Sequence, residues 1–535
     1  MNGEAVCRRL SGMRSARSLH EGRWRDCFDL TWPERSDYFW QSSDTSTGAQ
    51  GKRAEIVDST CSDGAEMLAS GIVGGMVPSN MQWFDLDTGD PNRVEQNDWL
   101  SETGRFLWNA IHASNFDSLA VDLFADLVAA GWCVLFCAEH EHGGLEFQWW
   151  PLGQCYISAS RDNGPVDTVF REYSLTVEQA VNKFGYDQVS PRVRSQFDKG
   201  GEALSEKVEF VMAIMPRDKR DPRSPYPRDM AIAAYDVEVS TKHLVREGGY
   251  HEFPCAVPRW RMIPGSQYAV GPVSRALPDA KSLNDLGLDE LQASKLDIGG
   301  MWKARDDGVL NPSMVKLGPR KIVTVADMDN FQRLDTGLRG GQRAWSTKEQ
   351  MQAQIRRTLR SDYLQPQDKP QMTAYEVHVR VQMIRQLLGP DFGRFQSEFL
   401  QPLIQRVMGL AMRAGVLPPM PEGLEWYSIQ FKSPMAQAQR AEDAEATAGY
   451  IDWVTNLATA KQDASVFDGI DLDKAGRHIA TGRGVPTDVL RDPDEVLEIR
   501  KAREQAAQQQ EQDQQQQQMQ MMAAEGAAKR VAAGA

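Results

Sequence analysis

The amino-acid sequence predicts an α+β protein that is mostly helical. Apolar residues recur every three or four positions from Val377 to Leu410, which is typical of a long amphipathic helix. Between residues 131 and 173, short β-rich runs alternate with Gly, Asn and Pro turns, which predicts a series of strands. A chain of 535 residues exceeds the roughly 250–300 residues that one hydrophobic core supports, so we expect several subdomains.

The first 130 residues have helical patterns. Residues 5–40 predict a helix with an aromatic, proline-containing exit, and residues 41–51 form a Ser/Thr/Gly loop. The next helical stretch, residues 53–75, has its predicted core positions at Ile56, Met67, Leu68 and Ile72. Residues 92–130 predict one or two amphipathic helices, with the apolar positions Trp99, Phe106, Leu107, Ile111, Leu119, Leu123 and Leu127.

The strand pattern continues as far as residue 260. A short helix is predicted at 176–186 and is followed by a polar loop. Further strands are predicted at 208–216 and within 230–260, with a turn rich in Pro, Arg and Asp between them. Residues 1–265 are therefore expected to form one α+β domain.

A pair of helices with an insert is predicted next. Gly271 and Pro272 are a good helix start, and the helix that follows extends to about residue 298, or about 40 Å. One face is apolar and another is acidic; its acids are Asp279, Asp285, Asp289, Glu290 and Asp297. Residues 300–345 read as short strands and turns and are locally basic. A second helix, about 346–360, returns the chain and precedes a polar loop.

The long apolar stripe should be a bent helix. Gly389-Pro390 and Pro402 should kink it, because proline removes a backbone donor and clashes with the previous turn. Such a helix is easier to explain if it packs against copies of itself. A short strand (WYSIQFKS) and helices across 434–500 follow. The Gln/Ala-rich tail is either disordered or a helix stabilised only by neighbouring copies.

Net charge disfavours a protein that coats DNA. The chain has 60 basic and 74 acidic residues, a formal net charge of −14, whereas tight duplex binding needs many Lys and Arg contacts to phosphate. An acidic wall would instead repel the phosphate backbone and let DNA slide past. The alternative is that the charge only keeps the protein from aggregating.

Motifs for catalysis, cofactors and metals are missing from the sequence. There is no G-x-x-x-x-G-K-[ST] phosphate loop, no G-x-S-x-G elbow and no H-E-x-x-H helix, so we predict no enzyme, no cofactor and no metal. Residues 139–142 (EHEH) precede Gly143-Gly144 and read as a hairpin tip rather than a metal site. Cys133 and Cys137 read as buried thiols, and the odd count of seven cysteines disfavours a disulfide framework and fits a reducing cytosol.

No membrane segment or signal peptide is predicted. The N-terminal residues are polar and never form an apolar h-region. The best candidate for a membrane span, residues 118–138, is interrupted by Asp122 and Asp126.

Three long motifs resemble the portal, or head-to-tail connecting, proteins of short-tailed double-stranded DNA phages. The best match is QMTAYEVHVRVQMIRQLLGPDFGRFQSEFLQPLIQRVMGLAMRAGVLPPMP at 371–421, with its T-A-x-E-V start, Leu-Gly-Pro break and Leu-x-Pro-Leu-Ile segment. The others are EIVDSTCSDGAEMLASGIVGGMVPSNMQWFDL at 55–86 and PRWRMIPGSQYAVGPVSRALPDAKSLN at 258–284. The resemblance covers the chain up to the Gln-rich tail.

The resemblance implies a subdomain organisation that fits these elements. The subdomains would be an α+β wing at 1–271, stem helices at 272–299 and 346–362, a β-containing clip at 300–345, a tunnel loop at 363–373, a long kinked wing helix at 374–415, a helical crown at 416–500 and the tail at 501–535.

The resemblance also implies a ring, usually dodecameric, at one capsid vertex of the virion, with each copy made in the host cytoplasm. Double-stranded DNA would pass through the channel without sequence specificity, and the clip would face terminase and then the tail adaptor or tail tube protein. Major capsid and scaffolding proteins would be partners, internal core proteins would meet the crown, and no membrane would be involved.

Candidate contact residues follow from that organisation. Asp285 and Asp289 would line the channel, and Asp368 and Lys369 would lie in the tunnel loop near its constriction. Basic residues of the clip would touch a partner or DNA phosphates; these are Arg320, Lys321, Arg339 and Arg343. The alternative for each basic residue is that it is solvated or paired with an acid.

Two other classes of function fit the sequence less well. A packaging ATPase or nuclease would need the phosphate loop or a clustered acidic metal site, and the sequence has neither. A scaffolding protein would be mostly helix, whereas this chain has a Trp-rich α+β region and a strand insert between two helices.

Overall fold

The computed structural model describes residues 2–36, 55–80, 82–90, 93–140, 143–162, 164–217, 230–299, 302–304, 331–333, 341–364, 393–421, 423–424, 427–431, 434–461, 469, 471–482, 496 and 498–503. They fall into two compact units. The first contains Met1–Trp83 and Thr103–Pro419, and the second contains Phe84–Glu102 and Met420–Ala535.

Three helices come first among the described residues of the first unit. They are α1 (Gly3–Thr31), α2 (Pro33–Ser36) and α3 (Thr60–Met76). The predicted helix at 5–40 is thus divided, because Pro33 has no backbone N–H to continue α1. Leu68 and Ile72 are fully buried on α3, as the pattern predicted.

Two more helices follow, as predicted for residues 92–130. They are α4 (Val94–His112), whose residues are divided between the two units, and α5 (Phe116–Ala130). Leu107 and Ile111 are fully buried on α4, whereas Phe106 is 40% exposed. Gly131 ends α5 in the left-handed conformation (φ +92°), and its N–H bonds to the Leu127 carbonyl, which is a common helix stop.

The largest sheet has five antiparallel strands in the order β4-β5-β6-β7-β8. Its strands are β4 (Cys155–Ser158), β5 (Thr168–Thr176), β6 (Lys207–Pro216), β7 (Ile232–Glu238) and β8 (Leu244–Tyr250). Val6, Leu10 and Met13 of α1 pack on one face against Phe170 and Tyr235. Strand alternation places these side chains on a single face.

Two short helices pack beside this sheet. The first, α6 (Val177–Phe184), begins with a capping box formed by Thr176 and Gln179 and confirms the helix predicted at 176–186. The second, α7 (Pro191–Lys199), lies in the stretch predicted to be a polar loop, so that prediction is wrong. Ser190 caps α7 and Pro191 begins it, which outweighs the polar composition.

A smaller sheet contains two of the buried cysteines, Cys137 and Cys255. Its order is β3-β2-β9, from β2 (Leu135–Glu139), β3 (Leu145–Trp149) and β9 (Cys255–Ala256). The β2–β3 turn is a hairpin in which the His140 N–H donates to the Gly144 carbonyl, as predicted. Cys133 and Cys137 are buried, and burial raises the pKa of the Cys137 thiol to about 12.

Short strands and long helices complete the first unit. A two-stranded ribbon, β10 (Arg261–Met262) with β11 (Ala269–Val270), precedes helix α8 (Pro272–Gly299). A second ribbon pairs β12 (Trp302–Ala304) with β13 (Phe331–Arg333). Helix α9 (Gly341–Thr358) and the short α10 (Ser361–Leu364) follow. Helix α9 begins five residues earlier than the predicted 346–360, so Arg343 lies on it.

The helix kink predicted at Pro402 coincides with an irregular turn. A π-helical turn, Gln396–Leu400, leads into α11 (Gln401–Ala414), and Pro402 lies at the start of α11. The backbone is helical on both sides of Pro402, so its missing N–H interrupts the helix from within, and the wider π turn beside it accommodates the proline ring. The kink predicted at Gly389-Pro390 lies outside the described residues.

The described residues of the second unit include a two-stranded sheet, part of α4 and further helices. Strand β1 (Phe84–Asp87) pairs antiparallel with β14 (Ser428–Phe431), so residues 84–102 cluster with the C-terminal part of the chain. The further helices include α12 (Pro434–Lys461) and α13 (Leu472–Gly482), in the region predicted to be helical. Among the described helices of both units, none combines the length and hydropathy that a bilayer crossing requires.

Candidate functional site

Helices α8 and α9 lie side by side and run in opposite directions. Glu290 of α8 and Lys348 of α9 form an ion pair of 3.3 Å. Further along, Asn284 of α8 and Gln352 of α9 bind the same segment, residues 55–58. The residue numbers rise on one helix as they fall on the other, so the pair is antiparallel. The helix and its return were predicted from the sequence.

Residues 55–58, which precede α3, form hydrogen bonds with both α8 and α9. The Val57 N–H donates to Asn284 Oδ1 at 2.7 Å, and Asn284 Nδ2 donates to the Glu55 carbonyl at 3.2 Å. On the other helix, Gln352 Nε2 donates to Asp58 Oδ2 at 2.8 Å. A Cβ at Gly287 would lie 2.9 Å from the Val57 side chain, so glycine permits this close contact.

A polar cleft of about 320 Å³ lies between α3 and the end of α9. It is lined by Val57, Asp58, Ser59, Thr60, Asp63, Gly64, Met67, Gln352, Arg356 and Ser361. Two hydrogen bonds hold its carboxylates in place: Ser59 Oγ donates to Asp63 at 2.8 Å, and the Thr60 N–H donates to Asp58 at 3.0 Å.

The Asp58 carboxylate stays charged in this cleft. Burial would raise its pKa, but hydrogen bonds from Thr60 and Gln352 and the charge of Lys348 lower the pKa below its ordinary value. The chain leaves the cleft by a sharp turn, since Arg360 has φ +59°, a left-handed conformation that stops α9. The Asp58 site therefore fixes the end of α9 immediately before the predicted tunnel loop.

The predicted acidic face is on the surface of the first unit. Asp285 and Asp289 are exposed on α8, one turn apart, and lie opposite the buried Leu283 and Gly287. Arg343 lies on α9. The other candidates fall outside the described residues; they are Arg320, Lys321, Arg339, Asp368 and Lys369.

Two glycines join the start of α8 to the end of α5. A Cβ at Gly271 would lie 2.5 Å from the Val128 carbonyl oxygen and 2.8 Å from the Gly131 nitrogen. A Cβ at Gly131 would lie 2.4 Å from the Gly271 nitrogen. No side chain fits between these backbones, so this contact sets the point where α8 leaves the rest of the first unit.

A buried ion pair fixes the π-helical turn. Arg259 Nη2 and Nε donate to the two carboxylate oxygens of Glu398 at 2.7 and 3.0 Å, and the Arg259 N–H adds a third bond of 3.1 Å. The remaining guanidinium donors reach the carbonyls of Gly164 and Gln267. A bidentate pair with further partners is the geometry in which a buried charge is well accommodated.

A second charged cluster fixes α11. Glu252 accepts hydrogen bonds from Arg406 at 3.1 Å and from Arg413 at 2.6 and 2.7 Å. Its carboxylate lies over Gly409, where a Cβ would be 2.5 Å away. Burial would raise the pKa of Glu252, but the hydrogen bonds and charges of Arg413 and Arg406 lower it below its usual range.

No role was predicted from the sequence for the residues that join these helices. Asp58 and Arg259 belong to the second and third resembling motifs, and Glu398 belongs to the first. The motifs therefore contain these residues but do not indicate which of them pair. Arg259 and Glu398 are 139 positions apart, and no local sequence pattern links them.

The arrangement supports rigid anchoring of a helix pair. Within the described residues, no group of three or more His, Cys, Asp or Glu side chains has the geometry to hold a metal ion. The cleft contains two carboxylates and one guanidinium but no histidine or cysteine beside its hydroxyls. This donor set suits hydrogen bonding rather than nucleophilic catalysis.

Comparisons with known proteins agree with the motifs. The family model for "Bacteriophage head to tail connecting protein" matches residues 4–490. The "Probable portal protein" of Bordetella phage BPP-1 is 28% identical over 527 residues, which cover 94% of this chain and 91% of that protein. The "Portal protein" of Salmonella phage epsilon15 is 27% identical over 527 residues, covering 94% of this chain and 92% of that protein.

Proposed function

We propose that this chain, which belongs to the bacteriophage head to tail connecting protein family, forms the DNA channel at one capsid vertex. Membership makes the chain a structural connector of the virion, a portal protein rather than an enzyme. The proposal adds that copies close into a dodecameric ring. Closure by cyclic symmetry buries the same two surfaces in every copy and stops further growth.

The α8–α9 pair is the observation that supports a channel. It is a long antiparallel pair joined to the rest of the first unit by polar bonds at Asn284 and Gln352 and by the Gly131–Gly271 contact. We assign it as the stem. Its exposed acids Asp285 and Asp289 would face the pore and repel phosphate, so DNA would slide without adhering.

The basic insert between the stem helices would face successive partners. During packaging it would meet terminase, and afterwards the tail adaptor or tail tube protein. Lys369 and the residues Arg320, Lys321, Arg339 and Arg343 would make transient contacts to DNA phosphates or to these partners. Capsid and scaffolding proteins would surround the wing, and internal core proteins would meet the crown.

The ring is tested by imaging and weighing the purified full chain. We expect annular particles with a central hole and a mass that is an integral multiple of 59.9 kDa, the dodecamer value being the proposed one. A single monodisperse chain at high concentration, with no annular particles in virions, would refute the proposal.

The pore-lining role is tested by charge reversal. Asp285→Lys with Asp289→Lys should slow DNA packaging about tenfold, because lysines facing the pore would bind phosphate. The matched control reverses Glu178 and Glu202, which are also exposed acids of the first unit, and should package normally. Equal packaging rates for both variants would remove Asp285 and Asp289 from the pore wall.

The basic contacts are tested by one combined variant. Alanine at Lys369, Arg320, Lys321, Arg339 and Arg343 should reduce packaging or genome retention, since each lost cation removes a phosphate or partner contact. Rings that form normally and package and retain DNA like the unaltered protein would contradict this assignment.

A further inference from the structure

Lys183 belongs to a cluster of charged side chains on the five-stranded sheet. It lies in the last turn of α6, and its Nζ donates a hydrogen bond of 3.2 Å to the Tyr173 hydroxyl of β5. The same Nζ lies 4.5 Å from the centre of the Tyr173 ring. The Tyr173 hydroxyl in turn donates to the buried Asp236 of β7 at 3.1 Å. These contacts fix the amine of Lys183 against the sheet.

Two guanidinium groups complete the cluster. Arg171 of β5 has its Cζ 5.5 Å from the centre of the Tyr173 ring, and Arg246 of β8 donates from Nε to Asp236 Oδ2 at 2.8 Å. Both positive charges act on Lys183, and among the described residues Asp236 is the one carboxylate that opposes them. Lys183 therefore faces two positive charges and one negative charge, and that negative charge is already paired with Arg246.

These surroundings make Lys183 a better nucleophile than an ordinary surface lysine. Although the residue as a whole is exposed, its Nζ lies against the rings of Tyr173 and Phe184. Burial there lowers the pKa of the Lys183 amine; the charge of Asp236 opposes this shift, and those of Arg246 and Arg171 add to it. More of the amine is then unprotonated near neutral pH, and the unprotonated amine is the form that attacks electrophiles.

The same positive charges favour an anionic reagent. The Arg246 side chain is 51% exposed, and a guanidinium group matches the geometry of phosphate oxygens. Arg246 and the Tyr173 hydroxyl bind the two oxygens of the same carboxylate, so the guanidinium group and the amine lie on the same part of the sheet. A reagent with a phosphate joined to an electrophilic carbonyl would bind the cations through its phosphate and present its carbonyl to Lys183. Acyl phosphates have this structure.

We infer that Lys183 is a site of covalent acylation by acyl phosphates, with Arg246 and Arg171 binding the phosphate group. The nitrogen lone pair of Lys183 forms a bond to the acyl carbon, and the carbon–oxygen bond to phosphate breaks. Phosphate leaves with that electron pair, and the surplus proton on the nitrogen passes to water. The product is a neutral amide, so the cluster loses one positive charge while an N–H remains to donate to Tyr173. The inference is independent of the proposed ring.

Acetyl phosphate tests the site on the purified full chain. The rate of acetylation at each lysine is measured at low salt by proteolytic digestion and mass spectrometry. The matched control is Lys199, which is exposed in the last turn of the neighbouring helix α7. Lys183 should react roughly tenfold faster than Lys199, because clustered charges raise the local concentration of an oppositely charged reagent by at least that factor. In about 1 M NaCl, where charges are screened beyond roughly 3 Å, the ratio should fall to about twofold.

Two further measurements assign the effect to the guanidinium groups. Acetic anhydride is uncharged and contains no phosphate, so its ratio of Lys183 to Lys199 acetylation should be smaller than that of acetyl phosphate. Arg246→Gln removes one guanidinium group and should lower the acetyl phosphate ratio by about fivefold, whereas Arg246→Lys keeps the charge and should lower it less. Circular dichroism establishes that each variant is folded.

Several results would overturn the inference. One is equal acetylation of Lys183 and Lys199 by acetyl phosphate at low salt. Another is a ratio that salt does not reduce, or that acetic anhydride reproduces, because the guanidinium groups would then not recruit the phosphate. A folded Arg246→Gln chain with an unchanged ratio has the same meaning. The salt and anhydride measurements use the unaltered chain, so they decide the question even if Arg246→Gln does not fold.

Discussion

Removing the Glu398 carboxylate should destabilise the first unit more than removing a surface acid. Glu398→Ala deletes three hydrogen bonds to Arg259, whose side chain is only 2% exposed, so the guanidinium stays buried without its counter-charge. At about 1 kcal/mol or more for each bond to a charged group, the loss is at least ~3 kcal/mol, within the 3–5 kcal/mol expected for a broken buried pair. At ~2 °C per kcal/mol, the melting temperature should fall by roughly 6 °C.

Thermal unfolding of the full chain, followed by circular dichroism, is the measurement. The control is Glu206→Ala. It removes a half-exposed carboxylate that pairs with Arg192 at 3.6 Å and accepts a hydrogen bond from Gln196, and it should cost no more than about 1 kcal/mol. Replacing both Arg259 and Glu398 with leucine should cost less than Glu398→Ala alone, because no unpaired buried charge remains. A Glu398→Ala melting temperature equal to that of the surface control would refute the argument that this pair fixes the π-helical turn.

Three further variants test other contacts. Gly271→Ala should prevent soluble expression, because its Cβ would lie under 3 Å from three backbone atoms, whereas Gly74→Ala has open space and should express normally. The pKa of Glu252 is lower in the folded chain than in the unfolded chain, where it is about 4.3. The stabilisation that Glu252 provides is therefore fully present above that unfolded pKa and is lost as the pH falls through the folded pKa. Glu252→Gln should therefore flatten the decline of melting temperature between about pH 5 and pH 3, and an unchanged slope would contradict this reasoning. His112→Leu should lower the free energy of unfolding by about 1–3 kcal/mol. The reason is that the buried Trp83 indole N–H donates to His112 Nε2 at 3.1 Å, and the variant removes this acceptor. An unchanged melting temperature would exclude that bond as a stabilising contact.

Helix positions could be predicted where apolar periodicity and end signals agreed. Gly271-Pro272 marked the start of α8, and Leu68 and Ile72 were predicted to be buried on α3. The prediction was wrong for residues 191–199. Their polar composition predicts a loop, yet Ser190 caps a helix there and Pro191 begins it. Capping energy is local and specific, so an average over composition does not detect it.

The candidate site could be predicted only in part. Asp285 and Asp289 were identified as an acidic face, and both are exposed on α8. The cleft at Asp58 and the hydrogen bonds beside it were missed, because Asn284 and Gln352 lie 227 and 294 positions from the residues they bind, Val57 and Asp58. Hydrogen bonds over such separations have no periodicity that a single sequence would reveal.

The sequence by itself determined most of the element types, the absence of motifs for catalysis and the resemblance to head-to-tail connectors, since each depends on residues close together along the chain. Only the tertiary structure decided that Arg259 closes on Glu398, that Gly131 meets Gly271, and that residues 84–87 pair with residues 428–431. Those contacts depend on how closely two surfaces can approach and on whether their charges are opposite. Complementarity of that kind exists only between folded elements.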